Sequence, residues 1–88
     1  TINKMAKTKN KFSSNIEAIE FVEKHKELDL LQGYGAMIVT FKRTNQDYAY
    51  YPMSKEIYDY HHKKMVESNS PGKHFDQYIK NLFENKKL

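Results

Sequence analysis

The chain has no cysteine. Disulfides, thiolate catalysis and cysteine-based zinc sites are therefore excluded. Long apolar runs are also missing. No run of about 7–15 apolar residues follows the basic N-terminal region, so no secretory signal is expected. None reaches the ~18 residues that would span a bilayer, so no membrane partner is expected and the cytoplasm is the default compartment. There is no internal repeat and no Gly-x-x-x-x-Gly-Lys-Ser/Thr phosphate loop. Arginine is nearly absent: of 15 lysines and arginines, only Arg43 is arginine.

What remains defines a small basic protein. At 88 residues it holds one domain, which buries only about 60–65% of its unfolded surface and leaves little room for a deep pocket. Its 39% hydrophobic and 14% aromatic content still argues for a folded chain whose aromatics supply much of the core. The net charge of +4 favours phosphate-rich or acidic partners. Lysine, asparagine and tyrosine are abundant in the manner of AT-rich coding genomes, as in many phages.

Residues 1–12 carry Lys4, Lys7, Lys9 and Lys11 with no acidic residue. They are expected to form a mobile basic tail, either a solvated terminus or a phosphate-tracking arm, ahead of a single domain over 13–88. Residues 13–28 fit two templates. Ser14-Asn15-Ile16-Glu17 has the form of a helix capping box, and Ile16, Ile19 and Val22 are spaced for one helical face. Yet Ile19-Glu20-Phe21 alternates, and its β-branched and aromatic content suits a strand; the residues by themselves favour the helix.

The later elements are clearer. After Gly33-Tyr34-Gly35, a half-buried strand is expected near 36–43, with Met37, Val39 and Phe41 on one face and Ile38, Thr40 and Lys42 on the other. A polar four-residue loop, Thr44-Asn45-Gln46-Asp47, leads to a second strand near 47–51, which Pro52 should end. Ser54 then caps a helix over 55–67 with Ile57, Tyr58, His61, His62 and Met65 on one arc. Ser68-Asn69-Ser70-Pro71-Gly72 stops it. A last helix over 71–84 starts with Ser70 as cap and Pro71 at its first position. Its apolar face is Phe75, Ile79, Leu82 and Phe83, with Lys73, Lys80 and Lys87 on a flank. The tail 85–88 is expected to fray.

These features, taken in order, resemble a KTSC domain, a small module found alone in bacterial and phage proteins and appended to some lysyl-tRNA synthetases. The residues that carry the resemblance are Ser13-Ser14-Asn15-Ile16, the alternation Met37 to Phe41, Tyr48-x-Tyr50, Met53-Ser54 and Ile57-Tyr58. They continue with Ser70, Gly72, Lys73, His74 and Phe75, then Ile79 and Phe83, spanning residues 13–83. Ser54 stands for the usual proline and His74 for the commoner tyrosine, and the 23–35 insertion is long. The resemblance implies a first strand near 17–22, with Glu23 to Leu31 as an extra turn or short helix. It also implies an α+β fold: a small antiparallel sheet of about three strands with two C-terminal helices on one face. RNA binding is suspected for the family.

Candidate phosphate contacts are Lys42, Arg43, Lys63, Lys64, Lys73 and Lys80. Tyr48 and Tyr50 share a sheet face, where they serve either as a platform for unpaired bases or as core anchors. Tyr34, Tyr51 and Tyr60 are further stacking candidates. Ser70-Pro71-Gly72-Lys73 resembles an anion-binding loop, but it follows a helix rather than a strand and reads better as a helix–helix connection. His61 and His62 are adjacent, so they diverge by about 100° and do not easily share a metal. His61 reads as a packed, hydrogen-bonded residue, and His25 and His74 have no ligand spacing with them.

No catalytic residue, metal or cofactor is expected. The expected function is non-enzymatic RNA binding of low sequence specificity by a phage or mobile-element protein. The alternative is an inhibitory interaction protein that neutralises a host defence or toxin protein, including an RNA-bound ribonuclease toxin. A homodimer paired through a sheet edge has no specific signal.

Overall fold

A computed structural model describes residues 8–9, 15–68 and 70–88. The chain is α+β. Five antiparallel strands are described: β1 (Thr8–Lys9), β2 (Ile16–Val22), β3 (Gly35–Phe41), β4 (Asp47–Met53) and β5 (Glu84–Lys87). Helices α1 (Lys55–Glu67) and α2 (Pro71–Tyr78) separate β4 from β5. The strands lie side by side in chain order. The three central strands and two helices match the expected architecture, and residues 16–22 are a strand.

Both outer strands depart from expectation. Thr8 and Lys9 pair with Ile19 and Ala18, so that part of the expected tail is tied to the sheet. The rest of residues 1–12, and Ser13-Ser14, lie outside the described residues. At the other edge, α2 stops at Tyr78 rather than 84, and both Ile79 and Lys80 donate backbone bonds to the Phe75 carbonyl. The chain then turns back, and Glu84–Lys87 pair with Tyr51–Tyr48. The physical reason is β4, whose outer backbone groups would otherwise lack partners. The tail expected to fray is thus a strand, closed by Leu88 N–H on the Asp47 carbonyl at 2.9 Å.

Two bulges shape the central sheet. Between Ile16 and Ala18, β2 carries one residue more than β3. This brings Ile16 and Ile19, three apart in sequence, into the same core cluster. In β4 an extra residue falls between Tyr50 and Met53, and the strand passes through Pro52 instead of ending there. A bulge is where a strand tolerates a residue that cannot donate to the ladder.

The main core lies between sheet and helices. Ile16, Ile19, Phe21, Met37, Val39, Tyr50 and Met53 meet Tyr58 and Met65 of α1 with Phe75 of α2, and Ile79 just beyond it. Ser54 caps α1, its hydroxyl accepting from Ile57 N–H at 3.2 Å. Ser70 makes no such side-chain bond at α2. Ile57 and Leu82, expected on apolar faces, are 43% and 68% exposed.

Residues 35–40 alternate between the two faces as expected, but both faces are buried rather than one. On the second face, Val22, Ala36, Ile38 and Ala49 are covered by Leu28, Leu30, Tyr51 and Leu88. The 23–34 segment is therefore a cover for the back of the sheet. It has no helix; His25 and Leu28 form an isolated bridge, and Lys86 Nζ donates to the Glu27 carbonyl at 2.8 Å. Gly35 is required where β3 begins, because a Cβ there would collide with the Val22 carbonyl oxygen and the Phe21 ring.

Candidate nucleic-acid interface

The nine residues expected to bind RNA do not form one patch. At one end of the sheet, β3 stops at Phe41, so Lys42 belongs to the turn with Arg43 rather than to the strand. Asn15 holds this turn: its carbonyl accepts from Lys42 N–H at 2.7 Å and its Oδ1 from Arg43 N–H at 3.0 Å. Asn15 and Lys80 also line a shallow groove of about 340 Å³ with an aromatic floor of Phe41, Tyr50 and Phe75. Asp76 lies on the same groove and lowers its positive potential. With α2 ending early, Lys80 and Lys87 leave the helix, and the seven-residue lysine flank does not exist.

The Tyr-x-Tyr pair is core. Tyr50 is 4% exposed and meets Phe75 edge-on at a centroid separation of 5.1 Å. Burial, then the Tyr48 and Asp76 charges, push its hydroxyl up to about 12. A ring so placed cannot stack on a base, which removes Tyr50 from the binding set. Tyr48 is half-buried and packs edge-on against Phe41. Tyr51 points to the opposite face and packs against the back cluster, so it and Tyr48 lie on different faces of the sheet.

The second group of residues meets where α1 and α2 cross. His61 Nδ1 and His74 Nε2 are 3.0 Å apart, a hydrogen bond between the helices. Four rings follow in a row: Tyr60 to His61 at 5.2 Å, His61 to His74 at 5.2 Å, and His74 to Tyr78 at 4.8 Å. Tyr60 and Tyr78, the outer members, are 54% and 49% exposed. Lys64 Nζ sits 5.6 Å from the Tyr60 centroid, within cation–π range. Lys63 and Lys73 are exposed on the same two helices.

Both histidines are held below their ordinary value, His61 by burial and then by His74, His74 by burial and then by Lys64. Each therefore favours the neutral ring at neutral pH, and the shared hydrogen bond needs at least one neutral ring as its acceptor. The centroid separation is about what two rings meeting nitrogen to nitrogen need. Their lone pairs do not converge on a third point, as a chelated metal would demand. Among the described residues no group of three His, Cys, Asp or Glu side chains could hold a metal ion.

His61 matches its expected hydrogen-bonded role. His74 and Tyr78 were not expected at a site. The pair joins positions 13 residues apart across a helix junction, and no local spacing encodes that contact. No helix among the described residues is long and apolar enough to cross a membrane. Neither a family model nor a curated protein matches the chain.

Proposed function

We propose that this chain is a non-enzymatic, KTSC-like domain that binds single-stranded RNA across the α1–α2 junction with little sequence specificity. The observation that carries this reading is the ring row itself, with exposed Tyr60 and Tyr78 at its ends and Lys64 beside it. Unpaired bases of any sequence stack on such rings, while ammonium groups track the phosphates. Lys63 and Lys73 extend the positive surface, and Lys42, Arg43 and Lys80 supply a separate, purely electrostatic contact at the turn. His61 Nδ1 and His74 Nε2 bond to each other, which takes one nitrogen of each ring away from a phosphate.

Fluorescence anisotropy with a labelled single-stranded RNA tests this. Tyr60→Ala and Tyr78→Ala should each weaken binding while the circular dichroism spectrum stays unchanged. Undiminished affinity in both variants would remove the stacking surface from the account.

One observation favours a second reading, an inhibitory protein that binds a host defence or toxin protein. A groove of about 460 Å³ opens beside the 23–34 cover, lined by Leu30, Leu31, Tyr34 and Lys55 among others. Leu31 is 70% exposed there. Co-purification with and without ribonuclease separates the readings. A stoichiometric protein partner that persists after RNA removal would place the second ahead.

A further inference from the structure

The His61–His74 pair is the one polar contact in the ring row, and its position gives it a role in the binding just proposed. Neutral, the pair holds one shared proton between Nδ1 and Nε2, with each ring's other nitrogen completing the tautomer. One further proton from solvent converts the N–H···N contact into N–H⁺···N, which keeps the hydrogen bond and adds one positive charge. A second would place two cations head to head and break it.

Tyr60 from α1 and Tyr78 from α2 lie against the pair's rings, and the Lys64 ammonium of α1 acts on His74. Phe83, from the segment after α2, brings only an aromatic edge to His61 at 6.3 Å. No carboxylate is among the causes of either histidine's shift. The charge that opposes protonation of His74 is the Lys64 ammonium, the group placed to meet a phosphate. A bound phosphate would cancel that repulsion and add an attraction of its own. Binding and protonation then favour each other by linkage.

We propose that His61 and His74 act as a single proton-accepting unit that tightens RNA binding on acidification, an inference that rests on the RNA-binding reading above. Stacking on Tyr60 and Tyr78 needs no proton, so binding persists at neutral pH and strengthens below it.

The test is the affinity for poly(U) at fixed ionic strength, at about pH 7.5 and about pH 5.5. Wild type should bind about two- to fivefold tighter at the lower pH, the range of one surface ion pair. The double variant His61→Asn with His74→Gln, whose amides can replace the hydrogen bond and leave neither ring to titrate, should abolish that gain. His25→Asn, away from the junction, should keep it. A double variant that retains the full gain would overturn the proposal. Binding that is pH-independent in wild type would overturn this inference alone, whereas no binding at any pH would overturn the RNA reading as well. Ring-proton NMR gives a second check without RNA. Both rings should titrate below the ordinary 6.5, and independent titrations near that value would contradict a shared proton.

Discussion

The α1–α2 junction and the β3–β4 turn are both basic, but they differ in what lies under the charge. At the turn the aromatic rings are beneath the surface: Phe41, Tyr50 and Phe75 floor the groove and belong to or pack on the core. At the junction the rings stand at the surface, with Tyr60 and Tyr78 half exposed. The turn can offer charge alone, whereas the junction offers charge and open π faces. Lysine count does not separate the two regions; ring exposure does.

That contrast is sharpest within α2. Phe75 and Tyr78 are three residues apart, and the first is 3% exposed. Phe75→Ala should cost about 3–5 kcal/mol of stability, the usual range for emptying a buried aromatic site, measured by urea denaturation. Tyr78→Ala should leave stability within about 0.5 kcal/mol of wild type. It should instead weaken RNA binding by about 1–3 kcal/mol if a base stacks there. A stable Phe75→Ala protein would show that the turn-end rings are not core.

Neutralising the turn should act more gently. Lys42→Gln with Arg43→Gln should flatten the dependence of log affinity on log salt by about 0.7 for each phosphate that is no longer neutralised, without changing sequence preference. A change in preferred RNA sequence would mean that the turn reads bases.

Stability should also depend on pH through the junction. The folded state holds His61 and His74 below their ordinary 6.5, so the unfolded chain binds more protons in the window beneath that value. Stability is complete above it and falls as pH drops through the folded-state values. Tyr50 works in the opposite direction. Its hydroxyl is raised from 10.0 to about 12, so its contribution is present below pH 10 and lost as pH rises through about 12. Thermal melts across pH should show the acid slope shrink in His74→Gln. An unchanged slope would place the acid sensitivity elsewhere.

The smallest effect belongs to Leu82. At 68% exposure, Leu82→Ser should move stability by less than about 0.5 kcal/mol; a larger loss in denaturant melts would mean that the turn after α2 packs on a further apolar face.

How much of the fold the sequence disclosed follows from where each contact originates. The strand over 35–41 and helix α1 were legible because period-two alternation and the Ser54 cap are local signals. Residues 16–22 by themselves favoured a helix, because the bulge after Ile16 puts Ile16 and Ile19 in one core cluster and so mimics helical spacing. The strand at 84–87 was illegible: Glu84, Asn85, Lys86 and Lys87 are all exposed, and what holds them is non-local, the edge of β4, the Glu27 carbonyl under Lys86 and the back cluster under Leu88. The His61–His74 contact was hidden for a similar reason, since it depends on how two helices cross.

Lys63, Lys64 and Tyr60 were legible as exposed because they fall outside the apolar arc of α1. Tyr50 was ambiguous until its neighbours were known, because one strand face serves equally as platform or core. Tyr78 carried no signal beyond being a tyrosine.

In the proposed function, open rings at the helix junction, not the basic turn, hold the nucleic acid. The most direct measurement is the affinity of a double variant, Tyr60→Ala with Tyr78→Ala, for single-stranded RNA, beside Lys42→Gln with Arg43→Gln at the same salt. The tyrosine pair should lose at least about tenfold more affinity than the turn pair, with both proteins folded. Equal losses, or a larger loss from the turn, would contradict it.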